Sequence, residues 1–179
     1  PDLMSSMQSI RVERGAGSSY NGIAGVAGGI MLESINIFNP DNESYVYTST
    51  GSFNTYKGTV VYNMYPTNKW GLHVKTTYQH TDGFRDYGFN NSQAVTVKTG
   101  YKINDKQTID ILSMNGWHKN GQGWLGNTLE ELAVNPMANG NTKAETDNWF
   151  MSMNRIQYKM WATDNLLVSS SVYYQFQDG

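Results

Sequence analysis

The sequence predicts an all-β protein, an antiparallel transmembrane β-barrel segment of about six or seven strands, and three observations carry that prediction. Apolar and polar residues alternate with a period of two over stretches of about ten residues, the length a tilted strand needs to cross a bilayer. The connections between these stretches alternate short and long along the chain, as periplasmic turns and extracellular loops do in an outer-membrane barrel. Aromatic residues stand beside the short connections, where an interfacial girdle belongs.

The first element spans Ile10 to Ser34, a short strand pattern that runs into a glycine-rich stretch. Residues without a Cβ permit sharp turns and close backbone packing. A nucleotide loop is the obvious alternative, and its neighbours exclude it. Gly17 and Gly22 have the outer spacing of a phosphate loop, but Ile23 and Ala24 stand where lysine and Ser/Thr are required. After Gly15 and Gly17, Tyr20 replaces the third glycine of a dinucleotide fingerprint.

What the stretch resembles is the C-terminal end of the plug domain of TonB-dependent outer-membrane receptors. The matching residues come in order: Ile10, Val12 and Glu13; then Arg14, Gly15, Gly17, Ser18 and Ser19; then Tyr20, Asn21 and Gly22; finally Gly28, Gly29, Ile30 and Leu32. Met31 and Glu33 depart from the family pattern without altering the architecture. The stretch lacks the alanine-rich run of the large glycan importers and is closer to siderophore receptors. The resemblance implies that residues 1–37 end a plug domain and that 41–179 begin a barrel of about 22 strands. It also implies that Arg14, with Glu13 beside it, locks the plug against barrel carboxylates, a task that suits a fork-shaped guanidinium. The signal sequence, the TonB box and most of the plug and barrel would lie outside a chain that begins at Pro1 and stops within a strand pattern at Gly179.

The strands follow in order. Tyr45–Gly51 and Lys57–Tyr65 have strand composition with weak alternation. Trp70 to Gln79 alternates cleanly, with Trp70, Leu72, Val74, Thr76 and Tyr78 on one face and Gly71, His73, Lys75, Thr77 and Gln79 on the other. Val95, Val97, Thr99, Tyr101 and Ile103 repeat the pattern against Thr96, Lys98, Gly100 and Lys102. Ile109 and Ile111 flank Asp110. Trp149 to Trp161 fits a strand only if a bulge shifts its register. Val168, Val172, Tyr174 and Phe176 alternate with Ser169, Ser171 and Gln175 in the last strand. The connections are Ser52–Tyr56, Pro66–Lys69, Asp82–Asn91, Asn104–Lys106, Trp117–Asp147 and Ala162–Asn165, and the girdle residues are Tyr65, Trp70, Tyr101 and Trp161.

The connection from Trp117 to Asp147 far exceeds the usual hairpin length of about 2 to 5 residues, and such loops are functional or disordered. Its tryptophans, Trp117 and Trp124, favour function, because a loop that exposes them has something to bury them against. Within it, Thr128 and Glu131 form a capping box for a short helix through Ala133, stopped by Asn135 and Pro136. Trp117, His118 and Trp124, together with Arg85 and Tyr87 of the Asp82–Asn91 connection, are the expected ligand contacts.

Composition excludes several classes. A mean hydropathy of -0.54 and no apolar run of about 18 residues rule out a membrane helix, while barrels look polar in bulk because half of each strand faces water. A formal charge of -2 without a basic cluster gives no nucleic-acid partner. The absence of cysteine removes disulfides and thiolate metal sites. Neither a nucleophile elbow nor a zinc-binding helix motif is present, and the three histidines are widely spaced, so no catalytic residue, resident metal or cofactor is expected. The resemblance implies TonB-dependent import of an iron-siderophore, haem or cobalamin across the outer membrane of a Gram-negative bacterium. Its partners would be a small metal chelate, the lipid membrane and TonB with its inner-membrane energising complex. A passive porin and a soluble β-sandwich binding module are the rivals.

Overall fold

The computed structural model describes residues 2–3, 6–14 and 28–179. It divides into two compact units, one formed by residues 4–36 and the other by residues 1–3 with 37–179. In the smaller unit β1 (Met7–Arg14) pairs antiparallel with β2 (Gly28–Ser34), Arg14 lying opposite Gly28 and Val12 opposite Ile30. Much of the plug-like motif, Gly15 to Gly22 included, lies outside the described residues.

The larger unit is a seven-stranded antiparallel meander. Its strands are β3 (Tyr45–Gly51), β4 (Thr55–Thr67), β5 (Trp70–Thr81), β6 (Asn90–Asn104), β7 (Gln107–Gly121), β8 (Thr146–Thr163) and β9 (Leu166–Asp178), with one helix, α1 (Leu129–Val134), between β7 and β8. Every strand pairs with its sequence neighbours, the up-and-down connectivity of a barrel wall. Residues 68–69, 105–106 and 164–165 make tight turns at one end, and residues 52–54, 82–89 and 122–145 make the longer connections at the other. The short–long alternation read from the sequence is therefore the alternation of the two ends of the sheet.

The two faces of this sheet are inverted relative to a soluble protein. On the sheltered face Thr59, His73, Lys75, Thr77, Thr96, Lys98 and Asp110 are buried, His73 at 3% and Lys75 at 4% exposure. On the opposite face Tyr62, Tyr101, Ile111, Ile156 and Val172 are exposed, Val172 at 73%. Charged side chains are almost never buried in a water-soluble core unless paired, and a contiguous apolar surface calls for an apolar environment. Period two sets the faces. Val74 pairs directly with Val97, while Lys75 pairs with Thr96 and His73 with Lys98, so a slip of one residue would exchange them all.

Three expectations change. Strand β7 continues through Gly121 and β8 begins at Thr146, paired residue for residue from Gln107–Met160 to Gly121–Thr146. Trp117 and His118 are consequently strand residues, and the connection is shorter than the one read from the sequence. Periodicity fails as a guide there because it records burial contrast, whereas the ladder continues wherever backbone groups can pair. The same ladder shows no bulge between Trp149 and Trp161. That stretch reads as irregular because Met151 and Met153 lie on the sheltered face and Ser152 and Asn154 on the other. The third change concerns Tyr65, which turns to the sheltered side, where Lys102 Nζ donates to its hydroxyl at 3.1 Å and also lies 5.1 Å from the Phe38 ring centre. Trp70 and Tyr101 are direct register partners on the exposed face beside the tight turns; Trp161, one residue past the last β7–β8 pair, alternates to the side of Lys159 and Gln157.

The segment entering β3 is seated by two glycines. Ile37 is buried, and a Cβ on Gly71 would run into its carbonyl, while one on Gly100 would crowd its side chain. Gly71→Ala is therefore expected to displace residues 37–38 at a cost of about 2 kcal/mol, the burial free energy of an isoleucine side chain. Faster amide exchange at Ile37 and Phe38 checks this, with Gly58→Ala, whose Cβ meets nothing, as the matched control that stays unchanged.

Candidate functional site

Two structures bear on function: the paired connections at the loop end of the sheet and the sheltered face of its strands.

The connections 82–89 and 122–145 form one packed layer. The Asp86 amide donates to the Met137 carbonyl at 2.8 Å, and Asn135 Nδ2 donates to the Asp86 carboxylate at 2.9 Å. Asn139 Nδ2 donates to the carbonyls of both Asp86 and Gln122, at 2.7 and 2.8 Å. Arg85 reaches Asn127 Oδ1 at 3.4 Å. Tyr87 adopts φ 61, and its carbonyl lies where any side chain at residue 121 would have to be, so Gly121 ends β7 for a steric reason. Buried Asn141 accepts from the Leu125 amide at 3.0 Å. The shorter connection 52–54 joins the layer through Phe53, which packs edge-on against Phe84 at 5.6 Å.

Helix α1 carries the capping box that its sequence announces. The Glu131 amide donates to Thr128 Oγ1 at 3.2 Å and the Thr128 amide donates to Glu131 Oε2 at 2.9 Å. A turn with a similar bond follows, in which the Thr142 amide donates to Glu145 Oε2. Accepting these backbone hydrogen bonds holds both carboxyls below their ordinary range. A depressed folded-state pKa contributes stability above the unfolded-state value and loses it as pH falls through the folded-state value. Acidification below the usual glutamate range is thus expected to loosen residues 128–145 while the sheet persists. Accelerated proteolysis confined to this connection, abolished as a pH effect in Glu131→Gln/Glu145→Gln, is the measurement.

The layer presents apolar surface outward. Trp124 is 71% exposed, Leu129 87% and Val134 88%, and no residue of α1 is buried.

Of the expected contacts, the structure brings the connections that carry Arg85, Tyr87 and Trp124 together. His118 lies on the sheltered face, its Nε2 3.0 Å from Asp147 Oδ2 and its backbone opposite Trp149. Trp117 lies on the exposed face, 5.3 Å from Phe150, which in turn is 6.1 Å from Phe176. That cluster, with Tyr56 against Tyr78 and His80, gives the exposed face an aromatic band near its loop end. Glu13 and Arg14 end β1, and among the described residues neither makes an ion pair.

The sheltered face holds what period alone could not supply. Asn63, His73, Lys98, Leu112 and Arg155 form a single cross-strand row. His73 Nδ1 is 2.7 Å from Asn63 Oδ1, and Arg155 Nη2 is 3.2 Å from buried Asp110. Asp2 accepts from Lys57 at 2.6 Å and lies 3.8 Å from Lys75 Nζ. Arg155 is hidden in the sequence by the irregular pattern of β8, and Asp2 by its distance along the chain. The loop-joining asparagines leave one trace, the N-P-M-A-N-G-N run from Asn135 to Asn141. Among the described residues no cluster of His, Asp and Glu could hold a metal ion.

No family model and no curated protein sequence matches this chain. The structure is similar to the crystal structure of the ferric-catecholate import receptor Fiu from E. coli K12 in its open form, with a TM-score of 0.76 and 15% sequence identity. The match covers 96% of this chain and 29% of that one. The shared fold is that of an antiparallel β-barrel segment, and the chain spans under a third of that receptor's length.

Proposed function

We propose that this chain is the end of the plug and the opening barrel strands of a receptor that imports a scarce metal chelate across the outer membrane of a Gram-negative bacterium. The observation that carries the reading is the inversion of the sheet: buried Lys75, Lys98 and Asp110 on one face, exposed aromatic and aliphatic side chains on the other. Such a wall is stable with lipid against its apolar face and a polar lumen against the other. The likeness to an import receptor and the ordered match from Ile10 to Leu32 support active import over a passive pore. Energy reaches this membrane through TonB and its inner-membrane complex, acting on the plug. The ligand is an iron-siderophore, haem or cobalamin.

In this reading Arg85, Tyr87 and Trp124 of the external layer meet the ligand first, His118 receives it at the top of the lumen, and Trp117 belongs to the lipid-facing girdle. Aromatic and arginine anchors carry about 1 kcal/mol or more each on truncation. Arg85→Ala/Trp124→Ala is therefore expected to weaken chelate binding at least about tenfold, with normal insertion, whereas Trp117→Ala leaves binding intact. Chelate-dependent uptake by cells carrying the complete receptor, with and without TonB, tests the whole reading. Uptake that continues without TonB would identify a passive pore.

A further inference from the structure

We infer that Lys57 and Lys75 form an oxyanion site on the sheltered wall and that Asp2 is its built-in occupant, a carboxylate that any incoming oxyanion must displace. The site rests on the proposed lumen-facing role of this surface, but its geometry stands on its own. One oxygen of Asp2 takes both contacts, at 2.6 Å from Lys57 Nζ and 3.8 Å from Lys75 Nζ. Lys75 is buried on β5, and among the described residues its ammonium makes no hydrogen bond. A buried ammonium with three donors and a partner only within ion-pair distance is incompletely satisfied. Asp2 therefore does not exhaust the site.

Charge points the same way. Among the described residues one carboxylate, Asp2, lies within ion-pair distance of two ammonium groups. Asp110, further along the wall, is engaged by Arg155. One negative charge against Lys57 and Lys75 leaves a residual positive potential, which a multiply charged oxyanion meets better than an aspartate does. Strand geometry holds the two lysines in fixed relation: Lys57 pairs with Gln79, and Lys75 pairs with Val61. The site is consequently preorganised on paired strands, and Asp2 is the member carried by a short segment outside the sheet.

A tethered carboxylate acts as an intramolecular competitor, so it lowers the apparent affinity for a free anion by the factor that its own effective concentration sets. Removing its charge should unmask the site. Calorimetric titration of the complete detergent-solubilised receptor with inorganic phosphate tests this, with heat-modifiable mobility on gels confirming a folded barrel for each variant. Asp2→Asn is expected to bind phosphate about tenfold more tightly than the parent, and Asp2→Asn/Lys75→Gln is expected to lose that gain. A parallel titration with citrate in place of phosphate separates a general oxyanion site, which gains with both, from a phosphate-selective one. Equal phosphate affinity in Asp2→Asn and the parent would overturn the inference, as would binding that survives Lys75→Gln in the Asp2→Asn background. These outcomes are read without metal or TonB, so they stand apart from the uptake experiment.

Discussion

Val97→Arg is expected to destabilise the inserted barrel by about 2 to 4 kcal/mol, while Lys98→Arg, one residue along, changes stability little. Val97 lies mid-strand on the apolar face, directly opposite Val74 on β5 and Ser113 on β7. An arginine there would have to place its charge in hydrocarbon, or thin the bilayer around it. Residue 98 is buried on the polar face and already carries an ammonium, so the substitution preserves both charge and environment. Reversible unfolding by denaturant in lipid bilayers supplies the comparison. Equal effects at the two positions would reverse or abolish the assignment of faces, and with it the membrane reading.

Arg155→Ala carries the second large effect. Arg155 Nη2 bonds Asp110 Oδ1 at 3.2 Å, and the Asp110 side chain is 8% exposed against 27% for Arg155. Removing the guanidinium leaves a carboxylate buried without its charge partner, which costs roughly 3 kcal/mol, the lower end of the range for buried pairs because Arg155 retains some solvent. Asp110→Asn in the same background should recover most of the loss, since a neutral amide needs no counter-charge. Failure of that rescue would mean that packing of the arginine stem, not charge pairing, sets the cost.

Legibility differed from one strand to the next for a physical reason. Strands β5 and β6 were readable because one face is charged or polar and the other aliphatic, so Lys75 and Lys98 announce their face and Val74 and Val97 theirs. Strand β8 was not, because Met151 and Met153 occupy positions on the sheltered, largely polar face, and Met153 pairs with Met114 on β7. The capping box at Thr128 was legible because it is local, needing only a hydroxyl and a carboxylate three residues apart. The union of the two longer connections was not, since hydrogen bonds such as Asn139 to Asp86 join residues far apart in sequence.

The sequence by itself determined the all-β class, the faces of the regular strands, the alternation of turns and loops, and the helix within the long connection. Each of these depends on residues within one strand or one turn of each other, where side-chain period and local hydrogen bonding decide the conformation. Only the tertiary structure decided that Trp117 leaves the loop for an exposed aromatic cluster and that Tyr65 turns toward Lys102. It also decided that Arg155 meets Asp110 and that Asp2 meets Lys57 and Lys75. The strand contacts depend on register, which is set by the summed pairing of whole ladders together with the burial of one face, and Asp2 reaches its lysines across more than fifty residues of chain; no single stretch of sequence contains either.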